Sequence, residues 1–145
     1  MIRRSLSHNP RRLRTSRLAT WLMPCHEQLT YRQNFSQHAS RLREVARVLD
    51  ERGIRLGLEY VGPKTSWASR RYPFIHTLAE MKELVAEIGT GNVGYLLDSW
   101  HCWHAGDLLA NLLALKPREV VAVDLNDAPA VQRSCLVNRR VRASS

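Results

Sequence analysis

Asp98 and His101 are the residues of this chain best placed, by type and spacing, to do chemistry. They close the stretch Asn92-Val93-Gly94-Tyr95-Leu96-Leu97-Asp98-Ser99-Trp100-His101, which reads as an apolar strand ending in a carboxylate, with an imidazole just beyond it. An acid at the end of a buried strand has lost much of its water, so it tends to be paired, hydrogen-bonded or bound to a metal. The pattern recurs. Ile54-Arg55-Leu56-Gly57-Leu58-Glu59 ends on Glu59, and Glu119-Val120-Val121-Ala122-Val123-Asp124 reaches Asp124. Two or three carboxylates and one imidazole make a hard, oxygen-rich donor set. Mn²⁺, Mg²⁺ or Co²⁺ would suit it, and Zn²⁺ would if His101 or another imidazole were a direct ligand. Such an ion polarises a carbonyl or hydroxyl of a substrate, and a neighbouring carboxylate can then move a proton on the adjacent carbon. The plain alternative is that the acids cap loops and helices, with His101 packed against Trp100 or Trp103.

An alternation of strands and helices must position these residues. Leu18–Met23 reads as a buried strand stopped by Pro24, followed by a polar loop to Asn34. Ser36 then offers an N-cap to a helix with Ala39, Leu42, Val45, Ala46, Val48 and Leu49 on one face, which Gly53 stops. After the strand to Glu59, the loop from Val61 to His76 is long enough to be functional rather than a mere connector. Thr77-Leu78-Ala79-Glu80 is a capping box for a second helix burying Leu78, Met81, Leu84, Val85 and Ile88, ended by Gly89 and Gly91. Asp107 is expected to cap a third helix from Leu108 to Leu115, which Pro117 terminates. This order specifies an α/β fold, a parallel sheet with crossover helices. In such folds the ligand site lies beyond the carboxyl ends of the strands. Glu59, Asp98 and Asp124 all fall at that end. Independent surface acids would have no reason to recur there.

Composition narrows the function class. No apolar run of the 145 residues approaches the roughly 20 needed to span a membrane. The net charge of +9 would suggest a nucleic-acid partner, but it is not spread over the chain. Residues 1–20 hold six Arg and no acid, and residues 131–145 hold four Arg and no acid. The remaining 12 basic residues face all 13 acids, so the body is near neutral and argues against nucleic acid. Cys25, Cys102 and Cys135 are odd in number and widely spaced, which fits reduced thiols in a cytoplasmic protein. An Arg- and Ser-rich, acid-free start also fits an organellar transit peptide, a misplaced start site or a rearranged gene end.

Gly53 to Lys64 (GIRLGLEYVGPK), Leu97-Asp98-Ser99-Trp100-His101 and Val123-Asp124-Leu125-Asn126-Asp127-Ala128-Pro129 together resemble the xylose-isomerase-like TIM-barrel superfamily. The likeness is greatest to its sugar phosphate isomerase/epimerase branch and covers residues 18–129. It implies a partial (β/α)8 barrel of about four parallel strands, with basic, disordered segments at 1–17 and 130–145. A complete barrel has eight strands and about 250 residues, so the chain is expected to be a fragment or the product of a shifted reading frame.

The resemblance also implies roles. Glu59 and Asp98 would bind one divalent metal, with Asp124 standing where the family has His or Gln. The family's fourth ligand, a Glu on a later strand, has no counterpart here. His101 would contact substrate, and Glu59 would double as acid/base in proton transfer through an enediolate. The substrate would be a sugar or sugar phosphate. Two further readings stand beside this one: a lyase or dehydratase of the same superfamily, and a non-catalytic half-barrel that oligomerises through its strand edges. From the residues alone, Trp21, Trp67, Trp100 and Trp103 could line a sugar pocket, with the core the favoured place for Trp21. Lys64, Arg70 and Arg71 could hold a phosphate from the long loop. His104 is a candidate for the site mouth, and His26, His38 and His76 read as structural or solvent-facing.

Overall fold

The computed structural model describes residues 15–127. Cys135 and the segment 130–145 lie outside the described residues, as does 1–17 apart from its last three positions. Arg17 already belongs to the first strand. The elements run β1 (Arg17–Trp21), β2 (Cys25–His26), α1 (Tyr31–Asp50), β3 (Arg55–Glu59), α2 (Lys64–Trp67) and β4 (Tyr72–Pro73). They continue with α3 (Leu78–Ile88), β5 (Val93–Asp98), α4 (Ser99–Ala105), α5 (Leu109–Leu113), a 3₁₀ turn at Pro117–Glu119 and β6 (Val120–Asp124). Strands β1, β3, β5 and β6 pair in that order, all parallel, while β2 and β4 form a separate antiparallel pair. This is the half-barrel that the alternation predicts.

Side chains alternate across a strand, and that divides the sheet into two faces. Leu56, Leu58 and Tyr60 point into a core shared with Ala39 and Ala46 of α1 and Leu78, Met81, Leu84 and Ile88 of α3. Arg55, Gly57 and Glu59 take the opposite face by the same alternation. The capping box opens α3 as expected: the Glu80 N–H donates to Thr77 Oγ1 (3.3 Å) and the Thr77 N–H to Glu80 Oε2 (3.1 Å). Gly89, in the left-handed region at φ 66°, ends it.

The structure corrects three boundaries. Helix α1 begins at Tyr31 rather than after Ser36, because Gln33 reaches back to the Thr30 N–H (3.0 Å) and makes Thr30, not Ser36, the cap. The long loop is not bare: it contains α2, and β4 secures it to β2. Asp107 does not cap the third helix, whose N-cap is Leu108. It turns inward to accept the Tyr60 hydroxyl and the Leu78 N–H. Leu109 and Leu113 of α5 remain 68% and 75% exposed, an apolar helix surface of the kind a half-barrel leaves uncovered.

Candidate metal centre

Parallel pairing decides what meets at the carboxyl end of the sheet. The register places Trp21 beside Glu59 and Asp98 beside Asp124. Helix α4 follows β5 without a loop, because the Asp98 side chain caps it by accepting the Trp100 N–H (2.7 Å). That one-turn step brings His101 back over the strand ends, with its Nε2 3.8 Å from Glu59 Oε1. One ligand atom each from Glu59, Asp98 and His101 lies within 4.8 Å of the others. The second Asp98 oxygen accepts from Asn126 Nδ2 (2.8 Å). Asp98 thus caps α4 and lies beside Glu59 and His101 at the same time.

The electrostatics are those of a site short of positive charge. Burial pushes the Glu59 carboxyl up from its ordinary range, and the charges of Asp98 and Asp124 push it further. Burial lowers the His101 imidazole, more than Asp98 can offset, and His104 adds to the lowering. At neutral pH the imidazole is therefore largely uncharged. Its approach to Glu59 is too long for a hydrogen bond and is no true ion pair. His101 Nδ1 is buried without a partner. Repelling carboxylates beside a neutral imidazole, whose Nε2 faces Glu59, are a donor set that a divalent cation fits.

The cluster opens on a cleft of about 490 Å³ lined by Trp21, Met23, Pro24, Glu59, Val61, Ser66, Ser69 and His101. Trp21 overturns its expected place in the core: it is 54% exposed and forms one wall. As the last residue of β1, which ends two residues before the Met23 expected from the sequence, it occupies the strand-end position that Glu59, Asp98 and Asp124 hold on theirs. Ser66 and Ser69 had no signal in the sequence, because α2 brings them in from the loop. Asp124 is exposed, next to Asp98 in register, and lies outside the cluster of three. Two expected substrate contacts lie elsewhere. Lys64 is exposed, with its Nζ 6.0 Å from the Trp67 ring centre, and does not line the cleft. Trp103 belongs to a separate apolar hollow with Leu97, Leu109, Leu112 and Val123, because α4 turns it away from His101.

The sequence pattern of the xylose isomerase-like TIM barrel matches residues 13–143, past both limits of the span in which the motifs are legible. The chain belongs to the xylose isomerase-like TIM barrel family. A xylose isomerase domain protein from Alicyclobacillus acidocaldarius is 41% identical, with a TM-score of 0.72 over 78% of this chain and 40% of its own. An AP endonuclease of family 2 from Brucella melitensis shares the fold at 20% identity (TM-score 0.63, 77% of this chain, 42% of its own). So does the IOLI protein, solved with a bound zinc atom, at 18% identity (TM-score 0.62, 79% of this chain, 40% of its own). This chain thus spans about two fifths of the length of each. No protein in a search of curated sequences matches it. Among the described residues, no helix is long and apolar enough to cross a membrane.

Proposed function

We propose that this chain carries the metal-binding part of a divalent-metal-dependent sugar or sugar-phosphate isomerase or epimerase. The convergence of Glu59, Asp98 and His101 within 4.8 Å, at the carboxyl ends of parallel strands, carries the reading. These three would hold the ion; Asp124, in register with Asp98 but outside the cluster, would have to turn inward to join them. Mn²⁺, Mg²⁺ or Co²⁺ suits the carboxylates, while the imidazole admits Zn²⁺; the zinc of the IOLI protein supports that choice. When bound, the ion supplies Lewis acidity to a substrate carbonyl or hydroxyl.

The chain's own groups do the rest. Glu59 faces the cleft, and its raised affinity for protons suits it to take one from the carbon beside a carbonyl, leaving an enediolate. The indole of Trp21 offers a flat apolar face to the C–H side of a sugar, and Ser66 and Ser69 offer hydroxyls opposite.

The test follows the first proton step rather than turnover. The metal-loaded chain is incubated in D₂O with ketose and aldose phosphates, and deuterium at the carbon beside the carbonyl is read by NMR. Exchange that disappears in Glu59→Gln supports the reading. Exchange unchanged in Glu59→Gln, or no metal uptake by the wild-type chain, sinks it. Loss of a hydroxyl instead of exchange would move the assignment to a dehydratase.

A further inference from the structure

Glu59 and His101 sit on different elements, and what joins those elements lies one residue further along each. Tyr60 follows Glu59, Cys102 follows His101, and inside the core Tyr60 Oη lies 3.0 Å from Cys102 Sγ. The same hydroxyl contacts Asp107 Oδ2, and Asp107 Oδ1 accepts the Leu78 N–H (3.3 Å) at the start of α3. A phenol has one proton. The carboxylate is the stronger acceptor and takes it, which frees the oxygen to receive the thiol proton. On the other side, Gly62 runs so close to α4 that a Cβ there would lie 2.8 Å from the Ala105 backbone nitrogen. Helix α4 is therefore held against the tail of β3 from both sides.

We infer that Tyr60 and Asp107 are positioning residues of the proposed metal centre: their buried hydrogen bonds lock α4 to the end of β3 and so aim His101 at Glu59. The inference rests on the metal-centre reading. A tyrosine that only filled the core could satisfy its hydroxyl with a nearby backbone carbonyl, and Asp107, just past α4, would cap the next helix if local geometry alone governed it. Instead one network ties β3, α3 and α4 together next to the two side chains whose separation matters.

The full chain and its Tyr60→Phe, Asp107→Asn and Glu59→Gln variants are stripped with chelator and titrated with Co²⁺ well below their melting temperatures. Calorimetry reads affinity, and the visible absorption of the bound ion reads coordination. Tyr60→Phe keeps the ring and loses the hydroxyl; it is expected to bind about tenfold more weakly, with altered absorption, as when an outer partner of a ligand is removed. A residue that only stabilised the fold would lower the melting temperature and leave both readouts alone. If Tyr60→Phe does not fold, Asp107→Asn carries the test with a smaller loss of affinity. Glu59→Gln separates the two claims. Weak binding by Glu59→Gln beside wild-type binding by Tyr60→Phe and Asp107→Asn overturns the positioning role alone. Wild-type binding by Glu59→Gln overturns the metal centre, and the positioning role with it.

Discussion

Gly62→Ala puts the contact between β3 and α4 to a direct test. Among the described residues the left-handed glycines are Gly53, Gly89, Gly91 and Gly106, so at Gly62 the cost of a side chain comes from contact alone. A Cβ there would sit 2.1 Å from the His101 carbonyl oxygen and 2.8 Å from the Ala105 nitrogen. A comfortable carbon–oxygen separation is about 3.3 Å, so the two segments must part by about 1 Å. Both obstacles are backbone and cannot swing aside. Overpacking costs about 1–3 kcal/mol, and a contact between rigid backbones belongs at the upper end. For a chain of this size that lowers Tm by about 10 °C. The displacement acts on the residue that carries the imidazole, so Co²⁺ affinity falls as well. Gly53→Ala is the control. Gly53 has φ 65° and no atom within 4 Å of its Cβ position, so the substitution costs about 1–2 kcal/mol through backbone strain and leaves metal binding intact. Calorimetric melting and Co²⁺ titration of the two variants decide the matter. A Gly62→Ala protein as stable as Gly53→Ala, with wild-type Co²⁺ affinity, would refute the packing argument.

Two further substitutions probe the carboxylates. In chelator-treated protein, Glu59→Gln is expected to raise Tm at neutral pH, because burial and the charges of Asp98 and Asp124 make the ionised Glu59 unfavourable in the fold. The folded pKa lies above the ordinary 4.5, so the gain is full above the folded value and fades as pH falls through it towards 4.5. Melting curves from neutral to acid pH check this, and a gain independent of pH would contradict it. At Asp98, both Ala and Asn remove the charge, but only Asn retains a cap for the Trp100 N–H. Asp98→Ala should therefore be less stable than Asp98→Asn by about 1 kcal/mol in urea unfolding, while both bind Co²⁺ more weakly than the wild type. Equal midpoints would show that the cap contributes nothing.

Much of this was legible in the residues. The capping box at Thr77 and Glu80, the stops at Gly53 and Gly89, and the apolar periods between them are local signals, and local hydrogen bonding obeys them. The recurrence of acids at strand ends marked the end of the sheet where they gather, because parallel pairing must bring those ends together. Where the reading failed, distant contacts had overruled local ones. Asp107 has the form of an N-cap, but the buried Tyr60 hydroxyl needs an acceptor and claims it. Trp21 has the bulk of a core residue, yet its position at the end of an edge strand turns it to the cleft. Trp103 and Lys64 are near the site in sequence and away from it in space, because the hand of α4 and the reach of α2 cannot be read from composition.

By itself the sequence determined the half-barrel, its parallel order and the end of the sheet where carboxylates gather, since hydrophobic period and chain connectivity leave few alternatives. Tertiary structure alone decided which of those groups form a site. The lock between β3 and α4 brings His101 to 3.8 Å from Glu59 and leaves its Nδ1 without a partner, while Asp124 remains outside the cluster. The physical reason is range: periodicity and capping act over a few residues, whereas the meeting of Glu59 with His101 depends on contacts made across the whole core.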